Sequence, residues 1–191
     1  MDKYARFKLK IDAKPSLFHK HTVRKVIGGA LWGKIRKEVL RNREAICSIC
    51  GYQPHIDQIH RLHVHEIEEY DFENIVVKLI DLDLICVNCH AFHHFGFTQL
   101  KANKEKMKEL KQHFASVNKC TIEDFEEYRK SLMFKRKPEG QSKAVKINCS
   151  LSLQDISSGN YKVMYAIIGE IPFKEQVIER LKQKDVYYAY D

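Results

Sequence analysis

Hydrophobic and polar positions change rhythm several times along the chain. Phe7, Leu9 and Ile11 alternate with Lys8 and Lys10, so part of what reads as a basic arm has the period-two pattern of an edge strand as its alternative, until Pro15 interrupts it. Behind Gly28-Gly29, the apolar residues Leu31, Ile35 and Val39, with Ala45 nearby, recur at helical spacing. They predict a helix from about Trp32 to Asn42, with Trp32 more often a core residue than a base-stacking platform. Asn103 to Phe114 carries Met107, Leu110 and Phe114 on one helical face. Thr121-x-x-Asp124 then supplies a helix-start cap for a second helix to about Met133, with Phe125, Tyr128 and Leu132 on its apolar side. This helical pair is expected to pack on the segment before it and help close a core.

A basic, polar stretch at 135–143, broken by Pro138 and Gly140, reads as a linker. Beyond it, Val145 to Leu153 and Tyr161 to Ile168 predict two strands around a turn at Ser157-Ser158-Gly159-Asn160. Pro172 opens a helix through about Lys184, and Val186 to Tyr190 adds a last short strand. A piece of this size is a marginal independent fold, so it is expected to dock on the rest of the chain or on a protein partner.

Composition sharpens this outline. The chain has 191 residues, 44% of them hydrophobic, which is ordinary for a globular protein with a core to bury. No apolar run approaches the roughly 18–20 residues of a membrane span, and the amino terminus lacks the apolar segment of a secretory signal. The expectation is a cytoplasmic protein with no membrane partner. Its net charge of +8 is unevenly spread. Residues 1–46 hold 13 basic and 4 acidic side chains, whereas 47–100 hold 2 and 8. The flank at 101–140 is basic again, and the remainder is nearly neutral. The middle of this basic protein is acidic, which suits the holding of divalent cations.

The metal-ligating residue types cluster in that middle. Cys47-Ser-Ile-Cys50 and Cys86-Val-Asn-Cys89 are two Cys-x-x-Cys pairs with 35 residues between them. Each turn can present two thiolates to one metal, and two turns complete a tetrahedral Zn²⁺ site. Cys120 and Cys149 lack such spacing and read as ordinary thiols. Seven of the ten histidines fall between the first pair and a few residues beyond the second. His63 and His65 would share one face of a strand, and His90 and His94 one face of a helix. With one zinc already satisfied by cysteine, the histidines suggest a second, catalytic metal.

The ordered set Cys47-x-x-Cys50, His65-Glu66-Ile67, and Asp81-Leu82-Asp83-Leu84-Ile85-Cys86-Val87-Asn88-Cys89-His90-Ala91-Phe92-His93-His94 resembles the HNH nucleases with a zinc-stabilised ββα-metal core. The likeness spans about Ile46 to Gly96, and the segment that follows is similar to HNH-like proteins with a His-Glu step. The resemblance implies phosphodiester hydrolysis in DNA, with His65 and His90, His94 or both holding Mg²⁺ or another divalent metal beside the structural zinc. That metal would stabilise charge on the phosphate and the leaving oxygen. Two positions depart from the family pattern. Glu66 stands where the general-base histidine is usual, and Asp81 where the central Asn is usual. A carboxylate is a weaker base than a histidine unless burial raises its pKa, so His63 competes with Glu66 for that role. Asp81 would orient the loop.

The expected fold is therefore α+β, a ββα-metal (HNH-like) zinc module with flanking helices and a small C-terminal αβ piece. Its expected parts are a basic arm and helix at 1–45, the zinc-bound module at 46–100, the helical pair at 101–134, the linker at 135–143 and the C-terminal subdomain at 144–191. Arg24, Lys25, Lys34, Arg36, Lys37, Arg41 and Arg43 are the candidates for contacting DNA phosphates; a helix docked on the module with a solvated basic face is the competing reading. The function expected is a metal-dependent HNH-type DNA endonuclease. The alternative is a catalytically degenerate zinc module that binds DNA or a protein as a regulator or inhibitor. A homodimer would suit an enzyme that nicks one strand per site.

Overall fold

A computed structural model describes residues 3–12, 14–136 and 161–190. The chain is a mixed α+β protein with a three-stranded sheet in the order β1-β2-β3. Among the described residues the α-helices are α1 (Val23–Ile27), α2 (Gly29–Asn42), α3 (Val87–His93), α4 (Phe95–Lys101), α5 (Lys104–Asn118), α6 (Ile122–Arg136) and α7 (Lys174–Gln183). The strands among them are β1 (Leu62–Asp71), β2 (Val76–Cys86) and β3 (Met164–Ile167). The short connection between β1 and β2 makes them an antiparallel hairpin. Among the described residues, no helix is long and apolar enough to cross a membrane.

Two compact units are assembled from interleaved stretches. The first comprises Met1–Ala13, Ala45–His63 and Leu84–Lys143; the second comprises Lys14–Glu44, Val64–Asp83 and Ala144–Asp191. Neither is a contiguous piece of chain.

In the first unit, α5 and α6 pack as a pair whose apolar faces meet in an aromatic core. Phe114 stands 4.8 Å from Phe125 and 5.2 Å from Phe92 between ring centroids. Both helices start where polar side chains cap them. Asn103 Oδ1 accepts from the Lys106 N–H at 2.8 Å, and Thr121 and Asp124 exchange reciprocal side-chain-to-backbone bonds at 3.1 Å. Helix α6 takes up Lys135 and Arg136, the first two residues of the expected linker, whose remainder lies outside the described residues.

The amino-terminal segment is not the edge strand its alternation predicts. Phe7 and Leu9 are buried in the first unit, but among the described residues no strand pairs with them. The Asn118 side chain takes that place. Its Oδ1 accepts from the Leu9 N–H at 3.0 Å and its Nδ2 donates to the Leu9 carbonyl at 2.9 Å. One amide thus satisfies both polar groups of a buried residue as a neighbouring strand would.

The second unit is built on β2 and β3, which pair in parallel from Val76↔Met164 to Leu79↔Ile167. The β3 strand is shorter than the stretch Tyr161 to Ile168 that its apolar run predicts. Next to it, the Gly169 N–H donates to the Leu79 carbonyl at 3.2 Å, and a Cβ at Gly169 would stand 1.6 Å from the Ile80 carbonyl oxygen. Glycine is required by that close approach of two backbones. Helix α2 begins three residues before the expected Trp32, and buries Trp32, Ile35 and Val39. Helix α7 starts two residues after Pro172, and the expected last strand reduces to one parallel bridge, Tyr165↔Tyr187. The expected strand at 145–153, the turn at 157–160 and Cys149 lie outside the described residues.

Candidate metal centres

The cysteines converge. The four sulfurs of Cys47, Cys50, Cys86 and Cys89 lie within 4.8 Å of one another in the first unit. Cys50 Sγ and Cys86 Sγ are 3.7 Å apart. Sulfurs tetrahedrally bound at about 2.3 Å from a zinc ion are separated by roughly 3.8 Å, so the donor set suits Zn²⁺ in type, number and closeness.

Local backbone geometry shapes both turns. Gly51, at φ +74°, sits where only glycine turns without strain, and its N–H donates to the Cys47 carbonyl at 2.8 Å. The Cys47 N–H donates to the Tyr52 carbonyl at 2.9 Å, and the Ser48 N–H to the Leu84 carbonyl at 2.9 Å, tying the first turn to the end of β2. Cys86 caps α3, its sulfur accepting from the Cys89 N–H at 3.4 Å. Hydrogen bonding among the thiols splits their acidities. Cys50 draws Cys47 down to about 6, while Cys47 and Cys50 together draw Cys86 down. Cys50 and Cys89 are pushed up by the same neighbours, Cys47 foremost. Four such sulfurs cannot all ionise without a cation among them, which is what a metal supplies. Cys120 stands apart, half-buried and pushed up by burial.

A second cluster in the first unit consists of imidazoles. His90 on α3 and His94 at its C-terminal cap bring their rings to 4.6 Å between centroids, as their four-residue spacing predicts. The His63 ring stands 4.7 Å from His90. His65 follows two residues later on β1, in the stretch belonging to the second unit, and strand alternation places it on the same face as His63. His93 Nδ1 lies 4.0 Å from Asp12 Oδ2. His55 and His60 are exposed.

Alternation places Glu66 on the face of β1 opposite His63 and His65, in the second unit. Its Oε1 accepts from the Arg24 N–H at 2.9 Å. Burial pushes its carboxyl up to about 7, against the lowering effect of that bond. Beside it Glu68 Oε2 accepts from Lys14 Nζ and from the Tyr70 hydroxyl, both at 2.6 Å, while its Oε1 is buried with no hydrogen-bond partner among the described residues. Asp81 does not sit in a loop. It lies within β2, where its Oδ2 faces Arg43 Nη2 at 3.4 Å and its Oδ1 accepts from the Leu82 N–H at 2.7 Å.

The basic candidates belong to the second unit and do different things. The Arg24 guanidinium lies 5.5 Å over the Trp32 ring, and Lys25 Nζ donates to the Lys20 carbonyl at 2.9 Å. Lys34, Lys37 and Arg41 are exposed on α2, with Arg41 paired to Glu38. Arg36 is half-buried, and burial first, then Arg24, lowers its pKa. Arg43 is engaged with Asp81.

Sequence reasoning passed over three residues. Lys14 and Glu68 form a largely buried ion pair. His113, far from any motif, reaches Cys89 with Nε2 at 3.2 Å from Sγ. Only helix packing brings it there. Comparison of the chain with protein-family models, with curated proteins and with solved structures found no match.

Proposed function

We propose that the protein is a metal-dependent endonuclease of HNH type, hydrolysing phosphodiester bonds in DNA. The observation that carries this reading is the gathering of His63, His90 and His94 in the unit that holds the four-cysteine cluster, with β1, β2 and α3 succeeding one another in a ββα order. In this reading His65, His90 and His94 hold a divalent metal. A bound Mg²⁺ or transition metal would supply Lewis-acid stabilisation of the phosphate charge.

The base is His63. Its neutral imidazole, with a pKa ordinarily near 6.5, accepts a proton from water at physiological pH. Glu66 is unsuited to that role because it faces away from the strand histidines and is occupied by the Arg24 N–H. Lys34, Lys37 and Arg41, exposed on α2, are the side chains best placed to meet phosphates, and such binding would weaken steeply with salt. The catalytically degenerate reading, a zinc module that only binds DNA or protein, draws on the unusual Glu66 and Asp81.

Plasmid DNA with Mg²⁺, Mn²⁺ or Ni²⁺ separates the two. Cleavage by the parent chain, lost in His65→Ala and His90→Ala and reduced by roughly 100-fold or more in His63→Ala, is the expected result. Glu66→Gln should cut as fast as the parent. No cleavage by a zinc-loaded parent that still binds the plasmid would reject the nuclease in favour of the binding module.

A further inference from the structure

Helix α5 grips the second cysteine turn through one stripe of side chains. Lys106, Glu109 and His113 recur at intervals of three and four and so share a face. Asn88, inside the Cys86-Val-Asn-Cys89 turn, donates from Nδ2 to Glu109 Oε1 at 3.0 Å and accepts on Oδ1 from Lys106 Nζ at 2.9 Å. One turn further along α5, His113 Nε2 stands 3.2 Å from Cys89 Sγ. Cys89 is wholly buried, so water cannot serve that sulfur. A thiolate on zinc keeps much of its negative charge, and a buried charge needs a donor. A neutral imidazole protonated on Nε2 has one N–H to give there. The cysteine sulfurs form the mutually close set of four, and His113 stands outside it, nearest Cys89 and within reach of Cys86.

We propose that His113 is the positioning residue of the zinc centre, its Nε2–H donating to the Cys89 thiolate so that α5 fixes one ligand of the metal. The proposal rests on the four-sulfur metal site and is independent of nuclease activity. The N–H···S bond withdraws electron density from one thiolate and holds its sulfur in place. Removing it leaves a more electron-rich, less constrained ligand, which binds zinc less firmly and transfers charge to a metal at lower energy.

The test uses the full chain loaded with Co²⁺ or Zn²⁺, compared with His113→Ala, His113→Phe (which keeps bulk without a donor) and His113→Gln (which keeps a donor). The parent should bind one Co²⁺ with the spectrum of a four-sulfur tetrahedral site. The Ala and Phe variants should keep the ligand-field bands, move the sulfur-to-cobalt charge-transfer band to longer wavelength and lose zinc to a chelator about 10-fold more readily, with Gln restoring both. Should one variant fail to fold, the other still supplies the comparison. A charge-transfer band and chelator resistance unchanged in a folded donorless variant would overturn the proposal alone. Ligand-field bands that change with His113 would overturn it too, by making His113 a ligand. A parent chain that binds neither metal would sink the four-sulfur site and the proposal with it.

Discussion

Replacing Asn118 with alanine should undock the amino-terminal segment, and the structure sets the size of the effect. The variant leaves the Leu9 N–H and carbonyl without the bonds of 3.0 and 2.9 Å that Asn118 gives them. Leu9 is fully buried, so water cannot replace either bond while the segment stays in place. Each orphaned group costs about 1–3 kcal/mol, and the pair therefore roughly 2–6 kcal/mol. That exceeds what a surface change produces and is a large fraction of a typical total stability. The chain can escape part of the cost by releasing residues 3–12, but it then exposes Phe7, whose ring packs 5.4 Å from both Phe114 and Tyr128. Urea unfolding followed by circular dichroism should show the midpoint falling by roughly 1 M or more, given slopes of about 1–3 kcal/mol per M. Amide exchange at Leu9 should quicken at the same time. A loss below about 0.5 kcal/mol with the Leu9 amide still protected would refute the reasoning, since it would mean that the two bonds carry no net weight.

Two further substitutions test the second unit. The Glu66 carboxyl is raised from 4.5 to about 7 on folding, so its stabilising contribution is whole below 4.5 and is lost as pH rises through 7. Glu66→Gln, which still accepts from Arg24, should remove that decline and add up to about 3 kcal/mol at pH 8, read by Trp32 fluorescence in urea; a pH slope as steep as the parent's would contradict the assignment. Gly169→Ala drives a Cβ to 1.6 Å from the Ile80 carbonyl oxygen, a contact that only backbone displacement can relieve. It should cost about 3 kcal/mol or more in thermal unfolding, and a stability unchanged within about 0.5 kcal/mol would show that β2 and Gly169 do not lie so close.

Where local rules govern, the sequence was a reliable guide. Two Cys-x-x-Cys turns can bring thiolates together whatever surrounds them, and the four sulfurs meet. Helices α5 and α6 begin where Asn103 and the Thr121–Asp124 pair cap them, because capping needs only residues three apart. The four-residue spacing of His90 and His94 set their ring contact for the same reason. Strand alternation alone implies that Glu66 and His65 face opposite ways, a rule of backbone geometry that holds whatever surrounds the strand. The alternation of Phe7 and Leu9 was real, but its cause is burial against helices with Asn118 as polar partner.

The sequence alone determined the chemistry available: four sulfurs in matched turns, histidines in pairs at strand and helix spacing, and an acidic middle between basic flanks. Tertiary structure decided which of these groups meet. It set His63 beside His90, sent Glu66 to Arg24, and brought His113 from α5 to Cys89. It also wove two units from six stretches of chain. Spacing within a turn or a strand is dictated by bond geometry and survives in the sequence. A contact between distant segments depends on how apolar faces pack, and many sequences of the same pattern could pack differently.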